Sequence, residues 1–134
     1  MRFLAAGLLT LVLALSLAAC RDTSKLQGGG GGGATGNVNN GKTLFASKGC
    51  PTCHHLTATG ASGTIGPDLD GIAARGATRK APMAAADYID ESIKDPAAFV
   101  VPGFPAPNQG GMILPVPVSD AERKDLVAFL LEQK

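Results

Sequence analysis

The chain has 134 residues, a length that suits one domain and is too short for a two-domain enzyme. It carries 12 basic and 11 acidic residues, and the resulting net charge of +1 excludes a broad basic face for nucleic acid. Only 4% of the residues are aromatic and none is Trp, so few large side chains are available to fill a core.

The first 19 residues have the pattern of a secretory signal peptide. Arg2 precedes an apolar run from Phe3 to Ala19, whose length is at the lower limit for a membrane-spanning anchor, the alternative to cleavage. The end of this run and Cys20 resemble the lipobox of bacterial lipoproteins, in which the cysteine is acylated and becomes the first residue of the mature chain. A cleavage site with an incidental cysteine is the other interpretation. We predict a lipoprotein signal peptide over residues 1–19 and lipidation of Cys20.

Residues 20–37 would connect the lipid anchor to the folded domain. They include the glycine run from Gly28 to Gly33 and contain little to bury, which is typical of a flexible tether. A Gly-rich coil of about 20 residues has a root-mean-square reach of roughly 25 Å. We therefore expect the domain, residues 38–134, to lie at the extracytoplasmic face of a bacterial membrane, on the periplasmic side if an outer membrane exists.

Residues 36–43 match the phosphate-loop pattern G-x-x-x-x-G-K-T. Such a loop binds phosphate between a buried β-strand and the N-terminus of a helix. Glycines precede this match in place of a Val/Ile-rich strand, and export would separate the chain from cytosolic ATP. We therefore predict that the chain binds no nucleotide.

Cys50-Pro51-Thr52-Cys53-His54 has the spacing of the haem c attachment signature. Two thiols three positions apart can form thioethers with the two vinyl groups of one haem, which places His54 beneath the iron. A zinc site would need four well-spread ligands, but His54 and His55 abut the second cysteine and no Cys or His follows them. A dithiol redox site would need the β-α-β pattern of thioredoxin-like folds, which this sequence lacks. A disulfide across two intervening residues would be strained. The motif therefore predicts one covalently bound haem c.

From Asn40 to the C-terminus the chain resembles the class I monohaem c-type cytochromes. Residues 41–50 are similar to the family's N-terminal helix, in which Gly41 permits close helix approach and Phe45 fills the crossing. Residues 119–122 have the pattern of a capping box that opens the last helix. The inward stripe of that helix would consist of Leu126, Phe129 and Leu130. The resemblance implies an all-α fold of three to four helices around the haem, with the terminal helices crossing.

Gly66-Pro67-Asp68-Leu69 resembles the family's G-P-x-L segment beside the proximal histidine. The resemblance implies that the Pro67 carbonyl accepts a hydrogen bond from Nδ1 of His54, which leaves Nε2 to bind iron. It also implies that Leu69 touches the porphyrin. The alternative is an ordinary turn with a packed leucine.

The second iron ligand must come from the other face of the haem. His55 is adjacent to His54 and cannot reach round the macrocycle. Met112 lies in a Gly/Pro-rich loop before the last helix, at the family's position for the distal methionine. Met83 is expected instead to pack at the start of the helix that contains Tyr88. We therefore predict His54 and Met112 as the iron ligands.

Ligation by histidine and methionine would leave no open position on the iron and raise its reduction potential. This implies an electron carrier and not an enzyme, namely a membrane-anchored cytochrome that transfers single electrons between respiratory or photosynthetic complexes. Its partners would be a quinol-oxidising complex, a terminal oxidase or a reaction centre. One alternative is a fixed haem c subunit of such a complex, because residues 87–112 resemble cytochrome domains attached to oxidases. The other is a peroxidase-like haem enzyme with a labile sixth ligand.

Five basic residues are candidates for docking an acidic partner or for pairing with haem propionates, and a solvated surface is the alternative. They are Lys42, Lys48, Arg75, Arg79 and Lys80. Residues 38–134 contain nine basic and ten acidic residues, so any positive docking patch must be local. Tyr88 could likewise bind a propionate or simply pack against its helix neighbours.

Overall fold

The computed structural model describes residues 35–112 and 117–134, which contain five α-helices and two short β-strands. These are α1 (Val38–Ser47), α2 (Cys50–Cys53), β1 (His55–Leu56), β2 (Ala61–Ser62), α3 (Ile72–Arg79), α4 (Ala85–Lys94) and α5 (Asp120–Leu131). The strands pair antiparallel, with His55 opposite Ser62. The all-α prediction is confirmed, and the fifth helix is the single turn α2. The predicted signal peptide, Cys20 and the tether as far as residue 34 lie outside the described residues.

The start of helix α1 is fixed to helix α5. The side chain of Asn37 accepts a hydrogen bond from the N–H of Asn40 at 3.0 Å and so caps α1. The carboxylate of Asp125 accepts from the Asn37 N–H and from the Asn40 side chain, both at 2.6 Å. A Cβ added to Gly36 would lie 2.1 Å from the Lys124 carbonyl oxygen. Gly36 and Asn37, at the end of the predicted tether, therefore already contact the folded domain.

Helices α1 and α5 cross at Gly41, as the sequence predicts. A Cβ added to Gly41 would lie 2.0 Å from the carbonyl oxygen of Asp125, so the crossing has room only for glycine. One turn further on, the ring of Phe45 packs against that of Phe129, with ring centroids 5.7 Å apart. The terminal helices thus form one continuous interface that closes the fold.

The predicted capping box at the start of α5 is present. Ser119 Oγ accepts from the N–H of Glu122 at 3.3 Å, and the Glu122 carboxylate accepts from the N–H of Ser119 at 2.8 Å. That second bond, and next the ammonium of Lys48 at 3.0 Å, lower the pKa of Glu122 below its ordinary value. The predicted inward stripe is buried: Leu126, Phe129 and Leu130.

Helices α3 and α4 complete the core. Gly76 lets the two helices approach, because a Cβ there would already contact the ring of Tyr88 at 3.3 Å. Tyr88 and Ile89 are buried against the other helices. Nε of Arg123 on α5 donates to the Asp90 carboxylate of α4 at 2.6 Å, which links these helices at their outer edge.

No helix within residues 35–112 and 117–134 combines the length and the apolar character that crossing a bilayer requires.

Candidate cofactor site

Two adjoining cavities lie within the fold. The first, which we call the helical cavity, is lined mainly by helix side chains such as Phe45, Ile89 and Leu126. The second, the loop cavity, is lined mainly by residues 65–67 and 96–112. Four residues line both cavities: Cys53, His54, Ser92 and Met112. These four therefore stand where the two cavities meet.

Helix α2 holds the two cysteines of the motif. Gly49 adopts a φ of 79°, a left-handed conformation that lets the chain turn from α1 into α2. The N–H of His54 donates to the carbonyl of Cys50 at 3.0 Å and closes the turn. Both cysteines line the helical cavity, and neither forms a disulfide with another cysteine of the described residues. Burial raises the pKa of the Cys50 thiol, so it stays protonated at neutral pH and is a poor nucleophile for dithiol exchange.

The imidazole of His54 is oriented by a main-chain carbonyl. Its Nδ1 lies 2.7 Å from the carbonyl oxygen of Pro67, and since that oxygen can only accept, Nδ1 is the donor. Burial lowers the pKa of His54, and the bond to Pro67 opposes this only in part, so the neutral ring is favoured. The Nε2 lone pair is then available to a metal, which binds only neutral imidazole.

The loop that carries Pro67 is held on both sides. The N–H of Gly66 donates to the Cys53 carbonyl at 2.7 Å, and the N–H of Leu69 donates to the His55 carbonyl at 2.9 Å. Leu69 lines the helical cavity. The structure thus brings together the residues of the predicted G-P-x-L segment and the histidine.

A side-chain clamp, which sequence reasoning missed, holds the same loop from outside. The carboxylate of Asp70 accepts from both the N–H and the hydroxyl of Thr57, at 2.9 and 2.6 Å. Asp68 accepts from the N–H of Asp70, and this bond, followed by His55, lowers the pKa of Asp68. His55, Asp68 and Asp70 lie close enough together to bind a metal ion. The carboxylates of Asp68 and Asp70 already accept the hydrogen bonds described above. The clamp is therefore a structural support for the loop.

The two candidate methionines occupy different places. Met112 lines both cavities, as His54 does. Met83 lies in the turn before α4, is partly buried against the core and lines neither of these cavities. Only Met112 of the two therefore shares a cavity wall with the imidazole.

Three of the five basic docking candidates pair with carboxylates. The pairs are Lys48–Glu122, Lys80–Glu91 and Arg75–Asp68. A fourth, Arg79, places Nη1 3.5 Å from the hydroxyl oxygen of Tyr88 and its guanidinium 6.0 Å from the centroid of that ring. Tyr88 itself is buried and lines the helical cavity. Three of the five candidates are therefore paired with carboxylates, whereas Arg79 and Lys42 form no ion pair within the described residues.

Comparison with known proteins assigns the chain to a family. Residues 38–134 match the family model of cytochrome c. The chain matches none of the curated proteins with which it was compared. Haem, the group that this family implies, fits the residues present, since the two cavities are bounded by two thiols, a neutral imidazole and a thioether. The chain therefore belongs to the cytochrome c family of haem-binding electron-transfer proteins, and residues 50–54 form its haem c attachment motif.

Proposed function

We propose that this cytochrome carries single electrons between membrane complexes, using one haem c with His54 and Met112 as iron ligands. The observation that supports this most directly is that both residues line the two adjoining cavities. An iron held by an imidazole and a thioether has no open position, whereas a peroxidase-like enzyme needs an open or labile one. Closed coordination favours electron transfer.

The residues of the chain have two tasks in this function. Haem supplies the one-electron change of its iron, and the chain keeps the surroundings of that iron rigid and dry. Pro67 fixes the imidazole through Nδ1, while the bonds from Gly66 and Leu69 keep the Pro67 loop in place. Apolar side chains such as Phe45 and Leu126 exclude water from the helical cavity. A rigid, dry site reorganises little when its charge changes.

Replacement of Met112 tests the ligand assignment. Met112→Ala should abolish the methionine-to-iron charge-transfer band, lower the reduction potential by on the order of 0.1 V and allow the ferrous protein to bind CO. Absorption spectra and equilibrium redox titration measure these changes. Met83→Ala is the matched control and should keep the band.

Two results would contradict this assignment. If the band survives in Met112→Ala and disappears in Met83→Ala, the ligand is Met83. If the unaltered ferrous protein binds CO at neutral pH without denaturant, the sixth position is labile and a haem enzyme becomes the better interpretation.

The membrane anchor is a further part of the proposal and is supported by the sequence. The lipobox-like residues before Cys20 and the glycine run Gly28 to Gly33 suit a lipid anchor and a tether to the extracytoplasmic face of a bacterial membrane. Acyl chains contribute about 0.8 kcal/mol for each buried CH₂, so more than one chain anchors firmly.

A Cys20→Ser variant tests the anchor. The unaltered protein should incorporate a labelled fatty acid and remain in the membrane fraction after a high-salt wash, whereas Cys20→Ser should incorporate none. A Thr23→Ser variant serves as the control and should stay with the membrane. If the unaltered protein stays in the membrane without incorporating the fatty acid, the apolar run from Phe3 to Ala19 is retained as an anchor helix and the lipidation proposal is wrong.

The partners in this proposal are a quinol-oxidising complex as donor and a terminal oxidase or reaction centre as acceptor. Because most of the candidate basic residues have local partners, long-range charge steering would contribute little, and short-range contacts would dominate docking. Stoichiometric co-purification with a membrane complex after a high-salt wash would favour a fixed subunit over a mobile carrier.

A further inference from the structure

Two segments of the chain are paired beside the imidazole of His54. One is the end of the haem motif, residues 53–55, and the other is the loop of residues 66–69. Three hydrogen bonds join them in chain order, from the Gly66 N–H to the Cys53 carbonyl, from His54 Nδ1 to the Pro67 carbonyl and from the Leu69 N–H to the His55 carbonyl. The bond that orients the imidazole is therefore the middle one of the row.

The clamp between Thr57 and Asp70 ends this row on one side. Thr57 follows β1, and its N–H and hydroxyl donate to the Asp70 carboxylate at 2.9 and 2.6 Å. Thr57 is exposed and Asp70 is partly buried, so the clamp lies where solvent meets the row. Paired segments open most readily from such solvent-exposed ends. The clamp therefore protects the bonds that lie behind it, including the one to the imidazole.

The Pro67 carbonyl has little freedom while the clamp is closed. Its direction is set by the peptide that joins Pro67 to Asp68, and the proline ring already fixes φ on one side of that peptide. On the other side the chain is held by the clamp at Asp70 and by Arg75, whose Nη2 donates to the Asp68 carbonyl at 2.6 Å. The Pro67 carbonyl can thus turn away from His54 only if this part of the loop moves.

We propose that Thr57 and Asp70 are positioning residues, which keep the His54 imidazole in its hydrogen bond to Pro67 and thereby lower the reduction potential of the haem. The inference rests on the proposed haem site. A hydrogen bond from Nδ1 to a carbonyl makes the imidazole a more basic ligand. A more basic ligand stabilises the ferric state, because that state carries the greater positive charge. Opening the clamp loosens the bond to Pro67 and so raises the potential.

Variants of the full-length haem protein separate the hydroxyl of the clamp from its charge. Thr57→Val removes the hydroxyl and leaves every charge in place, whereas Thr57→Ser keeps the hydroxyl. Asp70→Asn removes the charge but keeps an oxygen that can accept. Thr59→Val is the matched control, because Thr59 lies in the same turn and donates to the Leu56 carbonyl at 3.1 Å. The measurements are the hydrogen exchange of the His54 Nδ1 proton, by NMR of the ferrous protein, and the redox equilibrium with a reference dye.

Thr57→Val should change both measurements. The exchange of the His54 Nδ1 proton should become roughly two- to tenfold faster, the range that the loss of one hydrogen bond produces. The redox equilibrium should move towards the ferrous form by a smaller factor. Asp70→Asn should change both measurements in the same directions. Thr57→Ser and Thr59→Val should resemble the unaltered protein.

The proposal requires the two measurements to move together. If either stays unchanged in Thr57→Val, the clamp supports the loop without tuning the haem, and the proposal is overturned. If Asp70→Asn shifts the equilibrium without faster exchange, the effect comes from the charge of the carboxylate, and the proposal is again overturned. Absence of the methionine-to-iron band from the unaltered protein would instead contradict the proposed iron ligands, and exchange of the Nδ1 proton would still decide whether the clamp positions His54.

Discussion

Gly66→Ala should displace the imidazole of His54 and weaken the whole cofactor site. A Cβ at position 66 would lie 2.5 Å from Cε1 and 2.8 Å from Nδ1 of the ring, closer than carbon approaches such atoms without a clash. The loop cannot easily retreat, because the Gly66 N–H donates to the Cys53 carbonyl at 2.7 Å. Either the ring turns away or the hydrogen bond to Pro67 breaks. We expect the free energy of unfolding to fall by about 3 kcal/mol.

Denaturant unfolding of the haem protein and the NMR signal of the His54 Nδ1 proton measure the effect. Two neighbouring variants serve as controls. Ile65→Ala changes a side chain that is 49% exposed, and Pro67→Ala leaves the accepting carbonyl in place, so both should retain the proton signal and most of the stability. If Gly66→Ala keeps the stability and proton signal of the unaltered protein, the close approach of loop and ring does not exist in solution.

The sequence predicts those parts of the site that depend on short motifs of neighbouring residues. The spacing of residues 50–54 identifies the thiols and the imidazole without knowledge of the fold, because one turn of chain brings them together. The capping box of Ser119 and Glu122 is equally local. The hydrogen bond from His54 to Pro67 follows from a resemblance to a family segment, and the structure gives its length as 2.7 Å.

The parts that the sequence does not predict depend on contacts between distant segments. The turn around Asp70 could be expected from its composition, but not that its carboxylate reaches Thr57. The pairing of Lys48 with Glu122 likewise requires α1 and α5 to be packed first.

Helix α2 and the two strands illustrate another limit. The helix is a single turn, and each strand has only two residues, which is too short for a periodic pattern. Their positions are set by main-chain bonds such as that from the Gly66 N–H to the Cys53 carbonyl. Such bonds carry no side-chain signature, so only the folded chain reveals them.

For Gly41→Ala, local helix preference and tertiary packing predict opposite changes in the free energy of unfolding. In an isolated helix, alanine is more favourable than glycine by about 1 kcal/mol. In the fold, a Cβ at position 41 would lie 2.0 Å from the carbonyl oxygen of Asp125 and 2.7 Å from Cβ of Phe129. The first contact is to the backbone of α5, which cannot rotate aside, so α1 and α5 would have to separate. Separation would also loosen the contact between Phe45 and Phe129.

We therefore expect Gly41→Ala to lower the free energy of unfolding by about 3 kcal/mol or more, measured by denaturant titration of the haem protein. Gly76→Ala is the matched control, because position 76 is also a buried helical glycine. Its added Cβ would meet the Tyr88 side chain at 3.3 Å, and a side chain can shift by a few tenths of an ångström. Its effect should stay within about 1 kcal/mol. If Gly41→Ala were instead more stable than the unaltered protein, α1 and α5 could not cross this closely, and the cavity wall that Leu126 and Leu130 form would lie elsewhere.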